Sequence, residues 1–267
     1  MDTSRTPDTR RNRSARRGRT LVVAGGAVLA VVVVGGCGSA DADEAPVEKR
    51  SFAYSGKTLT IEADNSSIDL APADVKDIEV TRQVDGWVFL GSGPDSVWKL
   101  EDGTLTLKLK CEAVVNNCVS RHTVKVPRGM AVMLRNDNGR VRADGFDTEL
   151  DLRSDNGSVE VRNSSGKLDL SSDNGKVTAE GVSSKSVRAR SDNGAVRLEL
   201  TSVPDTVDTS TDNGSVTIDL PGSGTAYAVT AKTDNGRVDV DVPTDDSSAH
   251  MVKARSDNGK VTVRSAN

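Results

Sequence analysis

From about residue 131 onward the chain repeats one pattern of apolar and polar positions around the tripeptide Asp-Asn-Gly. The tripeptide occurs seven times, as Asp137-Asn138-Gly139, Asp155-Asn156-Gly157, Asp173-Asn174-Gly175, Asp192-Asn193-Gly194, Asp212-Asn213-Gly214, Asp234-Asn235-Gly236 and Asp257-Asn258-Gly259. The steps between copies are 18, 18, 19, 20, 22 and 23 residues. Five positions before each Asp the residue is apolar: Val132, Leu150, Leu168, Val187, Val207, Val229 and Val252. Four positions after it stands Val, in Val141, Val159, Val177, Val196, Val216, Val238 and Val261. Two further on come Ala143, Val161, Ala179, Leu198, Ile218, Val240 and Val263. Apolar residues alternating with polar ones predict strands that bury one face. Each unit is therefore strand, Asp-Asn-Gly turn, strand. A weaker copy, Asp64-Asn65-Ser66, lies between Thr58-Leu59-Thr60-Ile61 and Ser67-Ile68-Asp69-Leu70, so the repeat begins near residue 51.

Two all-β architectures can use this unit. In a hairpin meander, Asn-Gly is a strong two-residue turn signal, and pairing about Asn156-Gly157 sets Arg153 opposite Glu160. The same register sets Arg190 against Arg197 and Asp208 against Asp219, like charges that a sheet should avoid. In a β-solenoid, a β-helix-like stack, each copy is one coil and equivalent residues sit above one another. Stacked Val then forms a narrow core, and stacked Ser, Thr and Asn form ladders along the axis. Gly is expected to supply positive φ at the corner. The solenoid is the favoured reading, with the hairpin meander as the alternative.

Composition agrees with a thin core, because only 3% of the residues are aromatic. Five of the seven aromatics, Phe52, Tyr54, Trp87, Phe89 and Trp98, fall in residues 51–128, a less regular stretch expected to supply the first coils and an N-terminal cap. An aromatic sugar platform is the sharper alternative for Trp87 and Trp98. Residues 129–267 are the expected regular solenoid.

With these features on view, residues 51–267 resemble the bacterial DUF4097 family, a β-strand-repeat domain often labelled, provisionally, as an adhesin. The Asp-Asn-Gly-x-Val-x-Val copies carry the resemblance, together with Thr123-Val124-Lys125-Val126-Pro127-Arg128-Gly129, which is similar to the family's strand leading into its first regular coil. The resemblance implies a secreted or surface-attached protein and supplies no catalytic residues.

The N-terminus carries an address. Arg10, Arg11, Arg13, Arg16, Arg17 and Arg19 precede an apolar run from Leu21 to Val34, and residues 1–36 have the layout of a secretory signal peptide. Fourteen residues make a helix of about 21 Å, short of a hydrocarbon core of about 30 Å. Val34-Gly35-Gly36-Cys37 resembles the lipobox of bacterial lipoproteins, which makes Cys37 the expected site of lipid attachment and the mature N-terminus. Residues 37–50 have little to bury and are expected to be a tether. The expected location is the extracytoplasmic face of the cell membrane. An oxidising exterior leaves Cys111 and Cys118 as disulfide partners, with two free thiols as the alternative.

The formal charge of −4 conceals a division. Residues 1–36 hold seven Arg against Asp2 and Asp8, so the remainder carries −9, the difference between −4 and +5. An acidic mature chain argues against nucleic acid as a partner.

Candidate chemistry is sparse. His122 and His250 stand in no metal-spaced motif and are expected at solvent-facing positions. No Gly-x-Ser-x-Gly elbow or phosphate-binding loop occurs, and no cofactor, metal site or catalytic residue is expected. Stacked corner aspartates about 4.8 Å apart would repel by roughly 0.9 kcal/mol per pair in water. Either turn amides and solvent relieve this, or the carboxylates share calcium. The return segments lengthen from six residues, 162–167, to eleven, 241–251, and stack on one edge as a candidate contact surface. The expected function is a non-enzymatic, lipid-anchored scaffold that meets a cell-wall polymer, a glycan or another envelope protein. A polysaccharide-acting enzyme and a structural or stress-sensing envelope protein are the alternatives.

Overall fold

In the computed structural model each Asp-Asn-Gly unit is one coil of a β-solenoid, and the two strands of a coil lie in two different parallel stacks. The structure describes residues 41–266 except 43, 44 and 223, and of 113–116 the backbone alone. The described residues contain 19 strands. The chain enters through β1 (Glu48–Phe52), β2 (Thr58–Ala63) and β3 (Ser66–Ala73), then makes two long strands, β4 (Ile78–Glu101) and β5 (Thr104–Pro127). The seven regular coils follow.

The coils stack in register on their neighbours, apart from one shift between Ala179 and Val182. Leu150 lies beside Val132 and Leu168, and Val159 beside Val141 and Val177. This is why one residue type recurs at one position: each inward side chain packs against its own counterpart above and below. The core is a continuous column running from Leu59 and Ile68 to Val252 and Val261, all fully buried. Each such side chain contributes roughly 1.5–3 kcal/mol, so a column of Val and Leu needs little aromatic volume.

The order of coils in space departs from their order in sequence. Thr206–Asn213 pairs in parallel with Met251–Asn258, which in turn pairs with Ala228–Asn235. The second strands follow the same order, Val216–Leu220 beside Val261–Ser265 beside Val238–Asp241. After Leu220 the chain thus steps over one level, about 9.6 Å at two strand spacings, builds the last coil of the stack, and returns to fill the gap with its C-terminal coil. The growth of the last return segments, expected from sequence to form a contact surface, is explained by this crossing. Tyr227, in the first of them, is buried and meets the His250 ring edge-on at 6.2 Å between centroids, while His250 Nδ1 lies 2.8 Å from the Pro204 carbonyl oxygen.

The opposite end is capped. Thr104–Leu107 of β5 runs parallel to β2, Ser120–Pro127 runs parallel to β3, β4 covers β5 antiparallel along its length, and β1 pairs with β4. Three residues of β1, Glu48 to Arg50, fall in the stretch expected to be a tether. The cap holds the expected aromatics in separate roles. Phe52 joins the core, while Trp98 lies under the Arg82 guanidinium, 4.1 Å from its centroid.

Candidate functional site

Three surfaces carry the repeat's chemistry: the Asp-Asn-Gly corner, the outward faces of the strands, and an arm at the capped end. At the corner the Asn side chains form a ladder along the stack. Asn174 donates through Nδ2 to Asn156 Oδ1 at 3.0 Å, Asn193 to Asn174 at 3.1 Å and Asn213 to Asn193 at 3.1 Å. The ladder continues from Asn258 to Asn213 at 3.1 Å and from Asn235 to Asn258 at 3.0 Å, again in the order of the stack and not of the sequence. Asn156 itself donates to the Asp137 carbonyl at 3.4 Å, and beyond that step Asn138 makes a separate rung to Asn65 of the weak copy at 3.0 Å.

The hydroxyl before each Asp has a second task. Ser172 Oγ donates to the Gly157 carbonyl at 2.8 Å, Ser191 to Gly175 at 2.8 Å, Thr211 to Gly194 at 2.8 Å and Ser256 to Gly214 at 2.8 Å. In the first copy Asn136 reaches the Ser66 and Gly139 carbonyls instead. The corner glycines are required for a reason other than the one expected. Only Gly139 among them has positive φ, at 112°. In the later copies a Cβ would strike the neighbouring coil's backbone, 1.9 Å from the Gly139 oxygen at Gly157 and 2.1 Å from the Gly157 oxygen at Gly175. Close stacking, not turn geometry, excludes a side chain there.

The corner aspartates therefore stand outside the bonds that close the turn. Asp137, Asp155, Asp173, Asp192, Asp212 and Asp234 are exposed and Asp257 is half-buried. Arg255 spans the last two, 3.0 Å from Asp257 and 3.2 Å from Asp234. Among the described residues no three His, Cys, Asp or Glu side chains are grouped to hold a metal ion. The strand faces beside the corner alternate in charge between coils. Arg135 meets Asp151 at 3.0 Å, Arg142 meets Glu160 at 3.1 Å, Arg190 meets Asp208 at 3.5 Å, and Arg197 meets Asp219 at 3.1 Å.

The two histidines have structural surroundings. His122 is buried, contrary to its expected solvent-facing position, because it shares the inward face of β5 with Val124 and Val126. Its Nδ1 lies 2.7 Å from Ser66 Oγ, itself buried. Burial, with the positive charge of Arg82 adding to it, pushes the imidazole down to about 4, so it is neutral near pH 7. A Ser–His pair sealed in this way has no open side for a substrate.

The arm arises because β5 takes a detour. Where the first coil turns its corner through Asp64 and Asn65, β5 travels from Leu107 to Ser120 before rejoining the stack. Cys111 and Cys118 are joined, with 6.6 Å between their Cα atoms, so the detour doubles back on itself, and β4 follows it in antiparallel register. Asp64 of the weak copy holds the base, its Oδ1 accepting from the Leu109 amide at 2.7 Å. Trp87, Phe89 and Leu90 are exposed on this arm. Trp87 is paired across the arm with Asn117 and Trp98 with Leu107, so the two indoles sit at different levels and form no common platform.

The sequence matches Toastrack DUF4097 over residues 54–267. The chain belongs to this family. The Toastrack match begins inside the cap and includes all eight corners. Solved structures of similar fold include a provisionally named adhesin from Parabacteroides distasonis, at 12% identity and TM-score 0.46, covering 84% of this chain and 98% of that one. A second provisionally named adhesin, from Bacteroides fragilis, has 16% identity and TM-score 0.43, covering 83% and 97%. A provisionally named cell adhesion protein from Clostridium sporogenes has 12% identity and TM-score 0.39, covering 84% and 100%. Among curated proteins nothing matches the chain.

Proposed function

We propose that this Toastrack protein is a lipid-anchored binding scaffold on the extracytoplasmic face of a bacterial membrane, acting by multivalent contact and not by turnover. The observation that carries the reading is the corner. Asn ladders and hydroxyl-to-carbonyl bonds fix it rigidly, and they leave a row of carboxylates exposed at one spacing along the stack. A repetitive polar edge suits a repetitive partner, such as a cell-wall polymer or another glycan, or an envelope protein, because many weak contacts in register add up. The sealed Ser66–His122 pair and the dispersal of acids along the repeat support binding over catalysis.

The anchor is assigned to Cys37, which lies outside the described residues, as does the signal segment 1–36. Replacing Cys37 with Ala should move the protein out of the membrane fraction, and a variant that remains there removes the lipid from the account. Binding is tested by a glycan and cell-wall polymer screen run beside turnover assays. Retention that weakens in steps as corner aspartates are changed to Asn supports display by the repeat. Product formation abolished by one point substitution would identify an enzyme instead.

A further inference from the structure

We propose that the tip of the β4–β5 arm is a membrane-contact element, with Trp87, Phe89 and Leu90 seated in the interfacial layer of the same bilayer that holds the lipid on Cys37. The proposal rests on the anchor reading above and adds to it an orientation for the column.

The first ground is the character of the tip. Trp87 is 41% exposed, Phe89 59% and Leu90 72%, all within four residues of a chain that has seven aromatics. Charges make up 28% of the sequence, yet none stands between Asp85 and Asp95 or between Glu112 and Arg121. Those two uncharged stretches pair with each other, Gly86 with Cys118 through Gly91 with Ala113. The uncharged tip is therefore bounded at its base by Asp85, Asp95, Lys110 and Glu112, which limit insertion to the headgroup boundary. Aromatic rings on an otherwise aqueous element are the residues favoured at that boundary.

The second ground is rigidity. The Cys111–Cys118 bond closes the base of the doubled strand, and Arg82 ties the two limbs of β4 by donating to the Ser96 carbonyl at 3.3 Å while it lies over Trp98. The apolar side chains are held out in water by a braced support.

The third ground is position, and it selects the bilayer as occupant. The Asp41 amide donates to Asp85 Oδ2 at 2.8 Å, and Gln83 Nε2 donates to the Ala45 carbonyl at 3.2 Å. The entering chain is thus fastened to the base of the arm, two residues before Trp87. Four residue steps separate Cys37 from Asp41, and a fully extended chain covers at most about 14 Å in that distance. A lipid on Cys37 brings the membrane surface to the arm. A flexible lipid anchor alone leaves the column free to tilt, whereas a second contact a short distance away fixes its angle and directs the corner row toward the partner.

The test uses the full lipidated chain reconstituted into vesicles of phosphatidylcholine and phosphatidylglycerol, with and without brominated acyl chains that quench indole emission. A Trp98→Phe variant leaves Trp87 as the single reporter. Trp87 should lose most of its emission in brominated vesicles. A Phe89→Ser/Leu90→Ser variant in that background should recover it with an unchanged thermal midpoint, since both side chains are outside the core. Equal emission in brominated and unbrominated vesicles overturns the proposal. So does quenching that survives the double substitution, because proximity would then come from the tether alone. The intact mass reports the lipid independently. If the chain carries none, the anchor reading fails, and quenching on addition of that chain to the vesicles still decides the tip, its presence supporting the contact and its absence overturning it.

Discussion

The end coil, Ala228–Asp241, and the C-terminal coil, Met251–Ser265, have nearly the same sequence pattern and opposite surroundings. Val261 and Val263 are fully buried, while Val238 is 40% exposed and Val240 39% exposed. The difference lies wholly in position, since the C-terminal coil is held between two others and the end coil has one neighbour. A repeat therefore specifies which residues face inward, and its place in the stack decides how much that facing contributes. By returning to fill the gap the chain places Met251–Asn258 between two other strands and leaves Ala228–Asn235 with one neighbour, at the end where a coil is freer to fray.

The largest expected contrast is at the corner glycines. A Cβ at Gly259 would lie 1.9 Å from the Gly214 carbonyl oxygen, and one at Gly236 would lie 2.1 Å from the Gly259 oxygen. The two clashes are alike, but their relief is not. Gly259→Ala must force apart two coils that share the continuous core, at a cost of about 3 kcal/mol. Gly236→Ala can be relieved by lifting the partly exposed end coil, for about 1 kcal/mol. Urea unfolding of the two variants measures the difference, and equal losses would mean that the end coil is as firmly held as the inserted one.

Much of this was legible in the sequence. The strand-turn-strand unit, the Val columns and the choice of solenoid over hairpin follow from the aligned positions, and the like charges that a hairpin would oppose find opposite partners between coils: Arg190 with Asp208, and Arg197 with Asp219. The exchange of the last two coils was not legible, because every copy presents the same stacking residues and any copy can sit on any other. Its only trace was the lengthening of the last return segments. The role of the corner glycines was hidden for a related reason, since the clash that excludes a side chain is with a neighbour some 20 residues away. His122 could have been found, because it alternates with Val124 and Val126 on one face of a strand. The apolar arm also left a sign, the two uncharged stretches between Asp85 and Asp95 and between Glu112 and Arg121.

The valines give the next contrast. Val261→Ala removes two methyl groups from a closed site and should cost about 2 kcal/mol, through lost transfer energy and the space left behind. Val238→Ala removes the same groups from a surface that water already reaches, and should cost less than about 1 kcal/mol. Val238 and Val261 are paired directly in the stack, so each single variant already removes their mutual contact and the double variant should lose less than the sum, by about 0.5 kcal/mol; strictly additive losses would show that the two side chains do not support each other across the coils.

The smallest contrast concerns the Asn ladder, where the end of the stack removes one bond and not the whole environment. Asn258 donates to Asn213 Oδ1 at 3.1 Å and accepts from Asn235 at 3.0 Å. Its replacement by Ala breaks two rungs, whereas Asn235→Ala breaks the one rung that it donates. Both amides are exposed, so water compensates the groups left behind and each rung contributes only about 0.5–1 kcal/mol. Asn258→Ala should therefore lower stability by about twice as much as Asn235→Ala. If the two losses are the same, the ladder follows from stacking and does not reinforce it, and the Asn at each corner must be kept for the backbone turn it favours.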